Sequence, residues 1–554
     1  MNDNLPHDGF LADLYLNRFD GDRYRSIQIG ALDARTLEII DAYEALAKDH
    51  PPDKLEKEGV PEELWDGLKK IGIFGLNVPE AYGGVGLDLT NYLKVVEVIA
   101  RRDMALALIP IAHLSIGMKG IQLFGSEEQK RQYLTPAASG EMIFAYALTE
   151  PKFGSDARSI ETRAVLSEDG RHYILNGQKT YITNGNYAGG LTVFAQMDRE
   201  KPGFMGAFIV ETGWDGVKVG RDMPKMGLTI SSTTSISFKD VHVPVENLLA
   251  NPGDGFKIAM TVLNYGRLGL GAASVGVMER AVEDMGKRAA SRKQFGVPID
   301  HFELVQDKIV KTGVHGYIAA AMTNFTAKLL EADPLAKVAI ESSHCKLFGT
   351  TRAWNALYDA LQVAGGAGYI ATQPYEKRMR DFRVTTVFEG TTEIHSMYPP
   401  LYLSRKIGKE LKALGNNKIS RVRFLARGLV KKLEWPTQFK KAVMTRAERF
   451  ARHNARLIRW MLYMGLMIHS KKMSEKEFFL SRITNLSLDL YGILSALTDI
   501  DSKMLQGMDV KKELRLLSYF LEEAKGSRKE NRRIFTNKRE SLHKKIFKDI
   551  KASS

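Results

Sequence analysis

Glu389 stands in the run Phe388-Glu389-Gly390-Thr391, a carboxylate between an aromatic ring and a residue that lets backbone or ligand come close. A carboxylate so placed can act as a general base. Its pKa rises as water is driven off, which makes it a stronger base once a ligand has closed the site. A glutamate before a glycine is by itself far more often plain surface, so its surroundings decide the reading. Other reactive types are sparse. Cys345 is the only cysteine, which excludes an intrachain disulfide and a metal centre built from several thiolates; no metal site is expected. The glycine cluster AYGGVGL (81–87) lacks both a following Lys-Ser/Thr and a preceding strand, and reads as a turn, not a phosphate loop.

The elements that must position Glu389 follow from periodicity. A chain of 554 residues is too long for one core, and roughly 100–200 residues per domain predicts three or four domains. After an N-terminal extension (1–32), residues 33–145 carry apolar positions at helical spacing, as in LWDGLKKIGIFGL (64–76). Residues 146–251 alternate with period two, and Asn176-Gly177 and Asn184-Gly185 predict hairpin turns. Helical spacing returns in long runs over 252–409, which hold Glu389, and a basic helical extension occupies 416–554. The fold class is α+β, mostly α: an N-terminal helical domain, a central antiparallel β domain, a helical bundle domain and an appended helical C-terminal domain.

Five separated motifs, in order, now bear on Glu389: FAYALTEPKFGSDA (144–157), NGQKTYITNG (176–185), SRKQFGVPI (291–299), LQVAGGAGY (361–369) with MRDFR (379–383), and FEGTTEI (388–394). Through them the chain resembles the acyl-CoA dehydrogenase family over residues 35–405, and in AHLSIGMKGIQLFG (112–125) and VLNYGR (262–267) it most resembles the very-long-chain branch and its respiratory-assembly relative. The resemblance implies oxidation of a long acyl-CoA to the trans-2-enoyl-CoA, the first step of fatty-acid β-oxidation. Glu389 would take the α-proton and FAD the β-hydride. Some relatives carry the base on a helix just before the arginine that corresponds to Arg267; this chain has Asn264-Tyr265-Gly266-Arg267 there, without a carboxylate, which leaves Glu389 as the base.

The same resemblance implies the remaining site residues. Tyr146, Leu148, Thr149, Gly154 and Ser155 would meet the flavin ring and neighbouring phosphate region, with Tyr181, where the family usually has tryptophan, and Thr183 on the other side. Arg292, Gln294 and Phe295 from a second subunit, with Gln362, Gly365 and Gly366, would cradle the pyrophosphate and adenosine, and Thr391 and Glu393 would follow the base along the cofactor. Ser155, Asn264, Arg267, Phe388 and Gly390 would face the substrate. Arg267 reads equally as an organiser of the catalytic loop or as a structural ion pair. The wholly apolar MALALIPIA (104–112) corresponds to the family's pocket floor and predicts a deep apolar slot; a plain buried helix has the same composition.

Net charge separates the tail from the body. Residues 405–554 hold 36 Lys and Arg against 15 Asp and Glu, while residues 1–404 hold 43 against 50. Arg446, Arg449, Arg452, Arg456 and Arg459 form one helical stripe opposite Leu457, Met461 and Met464, which suits a helix lying on an anionic membrane surface; a solvated face, or cover for the surface by which tetrameric relatives pair dimers, are the alternatives. No aromatic-basic interleaving accompanies the charge, so nucleic acid is not expected. The start has no basic region followed by an apolar run, and the apolar stretches 104–112 and 460–468 fall short of the roughly 20 residues of a spanning helix. The expected setting is cytoplasmic, peripheral to the inner face of a membrane. The expected partners are acyl-CoA, an electron-transfer flavoprotein or equivalent carrier, and a second copy in a homodimer. An acyl-CoA oxidase and a non-catalytic assembly protein on the same fold are the alternatives.

Overall fold

The computed structural model describes residues 9–16, 18, 21–198, 200–415, 417–430, 439 and 441–553; residues 1–8 of the N-terminal extension and Asn416, where the C-terminal extension is expected to start, lie outside them. The chain forms two compact units. One comprises Gly30–Ala336 and Phe348–Thr391, the other Lys337–Leu347, Thr392–Ser554 and the described residues of Met1–Ile29.

The larger unit opens with helices whose starts are set by side-chain caps. Asp33 accepts from Thr36 N at the head of Ala34–Lys48, Asp88 from Asn91 N at the head of Leu89–Arg102, and Asp103 from Ala105 N at the head of Met104–Ile111. The last of these runs through a π-helical segment, Ala112–Gly117, into Lys119–Phe124. The stretch Met104–Phe124 is long and apolar enough by composition to cross a membrane, yet 94% of its apolar window is buried, as in the core helix of a folded domain. His113, within the π segment, accepts from Phe144 N at 2.9 Å and donates to Ala137 O at 3.1 Å, tying the start of the sheet to this helix.

The seven-stranded sheet comprises β1 (Ile143–Ala147), β2 (Arg163–Leu166), β3 (His172–Thr183), β4 (Ala188–Gln196), β5 (Met205–Glu211), β6 (Val217–Val219) and β7 (Thr233–Pro244), in the order β1-β4-β2-β3-β7-β6, with β5 also on β4. The ladders β2–β3, β3–β7, β4–β5 and β6–β7 are antiparallel, while β1 joins parallel to β4. One expected hairpin turn is absent. Asn176-Gly177 lies inside β3, where the register with β7 slips between Leu175 and Gly177 and Gly177 takes φ 149. The pair makes a bulge and not a reversal, and it has room only for glycine: a Cβ at Gly177 would meet Thr162 Oγ1 at 2.5 Å. Asn184-Gly185 is a true turn, with Asn184 at φ 64, but it joins β3 to β4, two strands that β2 separates in the sheet. Two long helices follow, Gly255–Ser291 and Glu303–Ala332.

The smaller unit takes in more than the basic tail, because packing follows contacts that composition does not register. Tyr15 Oη and His344 Nε2 meet Ser487 Oγ at 2.6 and 2.7 Å, Leu11 N donates to Glu341 Oε1 at 2.6 Å, and Ile29 N donates to Ser502 Oγ at 3.0 Å. The N-terminal stretch and 337–347 are thereby joined to the helix Glu477–Leu505. The arginine stripe changes meaning here. In Ala442–His469, Arg446, Arg449 and Arg456 are exposed, but Arg459 is buried, Arg452 pairs with Glu448, and Met461 on the apolar side is fully buried. Met461 thus belongs to the unit's own core, while Leu457 and Met464 are half-buried. An exposed apolar stripe of the tail lies on the last helix, Lys538–Ser553, at Leu542, Ile546 and Ile550.

Candidate active site

Glu389 sits in the short connection between the 3-10 turn Arg383–Thr386 and the helix Thr392–Ala413. Its backbone takes φ 56 and that of Gly390 φ 99. A left-handed conformation is uncommon for a residue with a side chain, and such positions concentrate where surrounding contacts hold a functional group in place. Two contacts do so here. Arg267 Nε donates to the backbone oxygen of Glu389 at 3.4 Å, and the side chain packs on the helix at Gly266, where a Cβ would stand 3.1 Å from Oε2. Arg267 also donates to Asn264 Oδ1 at 3.4 Å, and both are buried. The helix Gly255–Ser291 thus brings Asn264, Gly266 and Arg267 to the Phe388-Glu389-Gly390 loop. Gly266 was missed in the sequence, although NYGR contains it, because a missing carboxylate there said nothing of what the glycine receives.

β1 ends at the same place. Tyr146 is half-buried, its ring lies 4.9 Å from that of Phe194, and its hydroxyl donates to Ala259 O at 3.2 Å. Burial, with the Glu389 carboxylate adding to it and Arg267 opposing, raises this hydroxyl well above the usual tyrosine range. The residues after β1 are pinned from beneath by a buried ion pair: Lys179 Nζ reaches Glu150 Oε1 at 2.7 Å and Leu148 O at 3.1 Å, and Glu150 also accepts from the backbone of Glu161 and Thr162. Burial raises the Glu150 carboxyl, but Lys179 and these donors more than offset it and hold it below the usual carboxylate range. Thr149 O accepts from Thr180 N at 2.9 Å, which fixes this loop against β3.

On β3 the register slips again between Lys179 and Ile182, and Tyr181 at φ 57 turns outward, 67% exposed. Leu148 is buried, Thr149 and Thr183 are half-buried, and Gly154 and Ser155 are exposed. A second group gathers elsewhere in the unit. Arg288, one turn before Arg292, donates to Ala364 O at 3.4 Å, which places the end of Gly255–Ser291 beside Gly365 (φ 65) and Gly366. Arg292, Gln294, Phe295, Gln362, Gly365 and Gly366 are exposed, and Phe295, at φ 52, is 94% exposed. Thr391 is half-buried at the edge of the larger unit, and Glu393 is exposed in the first turn of Thr392–Ala413.

Comparison with known proteins finds relatives over these same domains. The chain matches the acyl-CoA dehydrogenase N-terminal domain over residues 36–141, the middle domain over 145–241 and the C-terminal domain over 253–398. The mitochondrial very long-chain specific acyl-CoA dehydrogenase of Homo sapiens is 35% identical over 81% of this chain and 71% of its own. The acyl-CoA dehydrogenase complexed with FAD from Bacillus anthracis superposes with a TM-score of 0.83 at 28% identity, over 97% of this chain and 94% of that one. A structure described as the electron transferring flavoprotein of Acidaminococcus fermentans matches with a TM-score of 0.61 and 34% identity, over 66% of this chain and 96% of that one.

The residues present fit FAD. Tyr181 and Phe295 leave aromatic faces open for a flat ring system, Thr149 and Ser155 offer hydroxyls, and a Cβ built at Gly154, Gly365 or Gly366 would meet nothing within 4 Å, so backbone there is open to close approach. Three consecutive family domains and this donor set identify the chain as a member of the acyl-CoA dehydrogenase family, an FAD-dependent oxidoreductase.

Proposed function

We propose that the protein oxidises long-chain acyl-CoA to trans-2-enoyl-CoA in the first step of fatty-acid β-oxidation, with Glu389 as the base that removes the α-proton. The observation that carries this reading is the strained Glu389 backbone held by Arg267 while the carboxylate rests on Gly266. Phe388 on one side and the Ile116 side chain at Gly266 on the other make the surroundings apolar, so an arriving acyl chain would strip water from the carboxylate and raise its basicity. Asn264 and Arg267 hold the loop from beneath, and Gly390 lets the thioester carbonyl approach backbone. Bound FAD supplies the acceptor for the β-hydride, and Tyr146, Leu148, Thr149, Gly154, Ser155, Tyr181 and Thr183 would hold its ring. The outlying Arg292, Gln294, Phe295, Gln362, Gly365 and Gly366 suit the pyrophosphate and adenosine across a homodimer, with Thr391 and Glu393 along the cofactor. Preference for long chains is supported by the buried apolar stretch Met104–Phe124, whose Ile111, Ser115 and Ile116 pack on Gly269 and Gly266 of the helix against which Glu389 rests.

The electrons pass onward to an electron-transfer flavoprotein or an equivalent carrier. The setting is cytoplasmic, peripheral to a membrane whose anionic face meets the last helix, where Leu542, Ile546 and Ile550 are 46%, 54% and 63% exposed beside lysines. Anaerobic mixing with palmitoyl-CoA tests the chemistry: the flavin of the native chain bleaches, and that of Glu389→Gln does not. An undiminished rate in Glu389→Gln removes Glu389 as the base. Peroxide formed stoichiometrically in air makes the protein an oxidase.

A further inference from the structure

The smaller unit holds a cavity of about 490 Å³ that the oxidation chemistry does not use. One wall is the last helix, Lys538–Ser553, which presents Glu540, His543, Lys544, Phe547, Lys548 and Lys551 at spacings of three and four, the signature of a single helix face. This is not the face that carries Leu542 and Ile546. The other wall is the start of Glu477–Leu505, with Phe478 and Phe479, and Ile534 completes it. The walls are fastened to each other. Arg482 pairs with Glu540 and donates to Arg533 O at 2.8 Å, and His543 stands edge-on to Phe478 at 5.3 Å.

The lining has two characters. Phe478 and Phe547 remain 44% and 60% exposed, an aromatic surface that no neighbouring side chain covers fully. Lys476, Lys544 and Lys548 line the cavity and form no ion pair among the described residues, unlike Arg482 and Lys503 in the same unit. Glu540 is committed to Arg482, and Glu475 and Glu477 flank Lys476, so the excess of positive charge stands on the last helix. An inorganic anion would answer the ammonium groups and leave the rings in water. A hydrocarbon would cover the rings and leave the charges unanswered. A ligand that carries both is complementary to the whole lining, and the volume falls within the roughly 300–1,000 Å³ of small-molecule sites.

We propose that this cavity binds a single-chain acyl anion, a free long-chain fatty acid being the simplest, at a second site distinct from the acyl-CoA slot. The carboxylate meets Lys544 and Lys548, and the chain lies over Phe478, Phe479 and Phe547. Occupancy also braces the last helix, because the ligand touches both walls.

The test is equilibrium dialysis of the full-length, FAD-bound protein against sub-micellar palmitate, with the catalytic slot saturated by a non-oxidisable acyl-CoA thioether. One palmitate per chain is expected. Lys544→Glu with Lys548→Glu, and separately Phe547→Asp, weaken it at least about tenfold, while flavin bleaching by palmitoyl-CoA stays at the native rate. Bleaching reports the catalytic proposal independently, so failure of either reading is visible without the other. No palmitate bound beyond the catalytic slot overturns the site. So does equal binding of dodecylamine, which has the tail with the opposite charge, or complete displacement by inorganic phosphate. Vesicles containing phosphatidylglycerol separate the sources: flotation that needs Lys544 and Lys548, in a chain that binds no palmitate, assigns these lysines to a lipid surface and overturns the proposal.

Discussion

The carboxylate of Glu389 rests on the helix Gly255–Ser291 at Gly266, where no side chain displaces it: a Cβ there would stand 3.1 Å from Glu389 Oε2 and 2.6 Å from Ile116 Cγ2. Gly266→Ala therefore keeps the base and shifts where it points. A displacement of about 1 Å at a reacting group costs on the order of a hundredfold in rate. Gly266→Ala is expected to lower the rate of flavin bleaching by about 10- to 100-fold while FAD content stays full. Bleaching at the native rate would show that the base does not depend on this contact.

Arg267 holds the same loop through its backbone, with Nε 3.4 Å from Glu389 O. Arg267→Lys keeps the charge and loses the forked reach, so it should behave much like Arg267→Gln. Both are expected to lower the first-order bleaching rate more than they weaken acyl-CoA binding. If Arg267→Lys were fully active and Arg267→Gln inactive, charge and not geometry would be the requirement.

Much of this site was legible because its chemistry lies in short contiguous motifs. FEGT holds the proposed base, NYGR the helical turn on which it rests, and the run from Tyr146 to Ser155 the strand end and loop expected to meet the flavin. What was not legible depends on pairs distant in the chain. Asn176-Gly177 has the composition of a hairpin turn, but pairing with β7, more than fifty residues on, keeps it inside a strand as a bulge backed by Thr162. The stripe Arg446 to Arg459 has the spacing of a surface helix, but Met461 and Arg459 are buried, in a unit that also takes in the N-terminal helix Phe10–Tyr15 and residues 337–347. Charge patterns report what a face could meet, not which face the core takes.

Glu150 and Lys179 form an almost fully buried pair, 4% and 0% exposed at their side chains, beneath the loop that carries Thr149. Removing one partner leaves a buried charge unanswered and costs about 3–5 kcal/mol, whereas replacing both with apolar residues costs far less. Lys179→Met should lower the melting temperature and release FAD on gel filtration, and Lys179→Met with Glu150→Leu should recover stability. Equal melting temperatures for single and double variants would mean that the pair carries no such coupling.

His113 is fully buried, and burial lowers its pKa from 6.5 to about 4. The unfolded chain therefore binds a proton between these values that the folded chain does not. Stability from this group is complete above pH 6.5 and is lost as pH falls toward 4, by about 3 kcal/mol in all. Urea unfolding of the larger unit should weaken over that window, with a shallower slope in His113→Gln. Identical slopes in the two chains would remove His113 as the origin.

Ile111 lies on Gly269, one turn beyond Gly266, with its Cγ2 3.2 Å from a Cβ built there, and Ser115 Oγ is at the same distance. If acyl chains run from Glu389 along this helix face, Ile111 is among the first side chains the tail meets. Its removal lengthens the slot by about one side chain, and each methylene gained there is worth about 0.8 kcal/mol. Ile111→Ala is expected to move the optimum in a series of saturated acyl-CoA substrates, read by kcat/KM, toward longer chains by about two to four carbons, with the bleaching rate at saturation nearly unchanged. Gly269→Ala, which fills the same space from the other side, should move it the opposite way. Opposite shifts from the two faces are hard to obtain from loss of stability, since a destabilised core lowers activity at every length. If both variants lost activity uniformly, the acyl tail would have to run along another face, and the apolar composition of Met104–Phe124 would belong to the core alone.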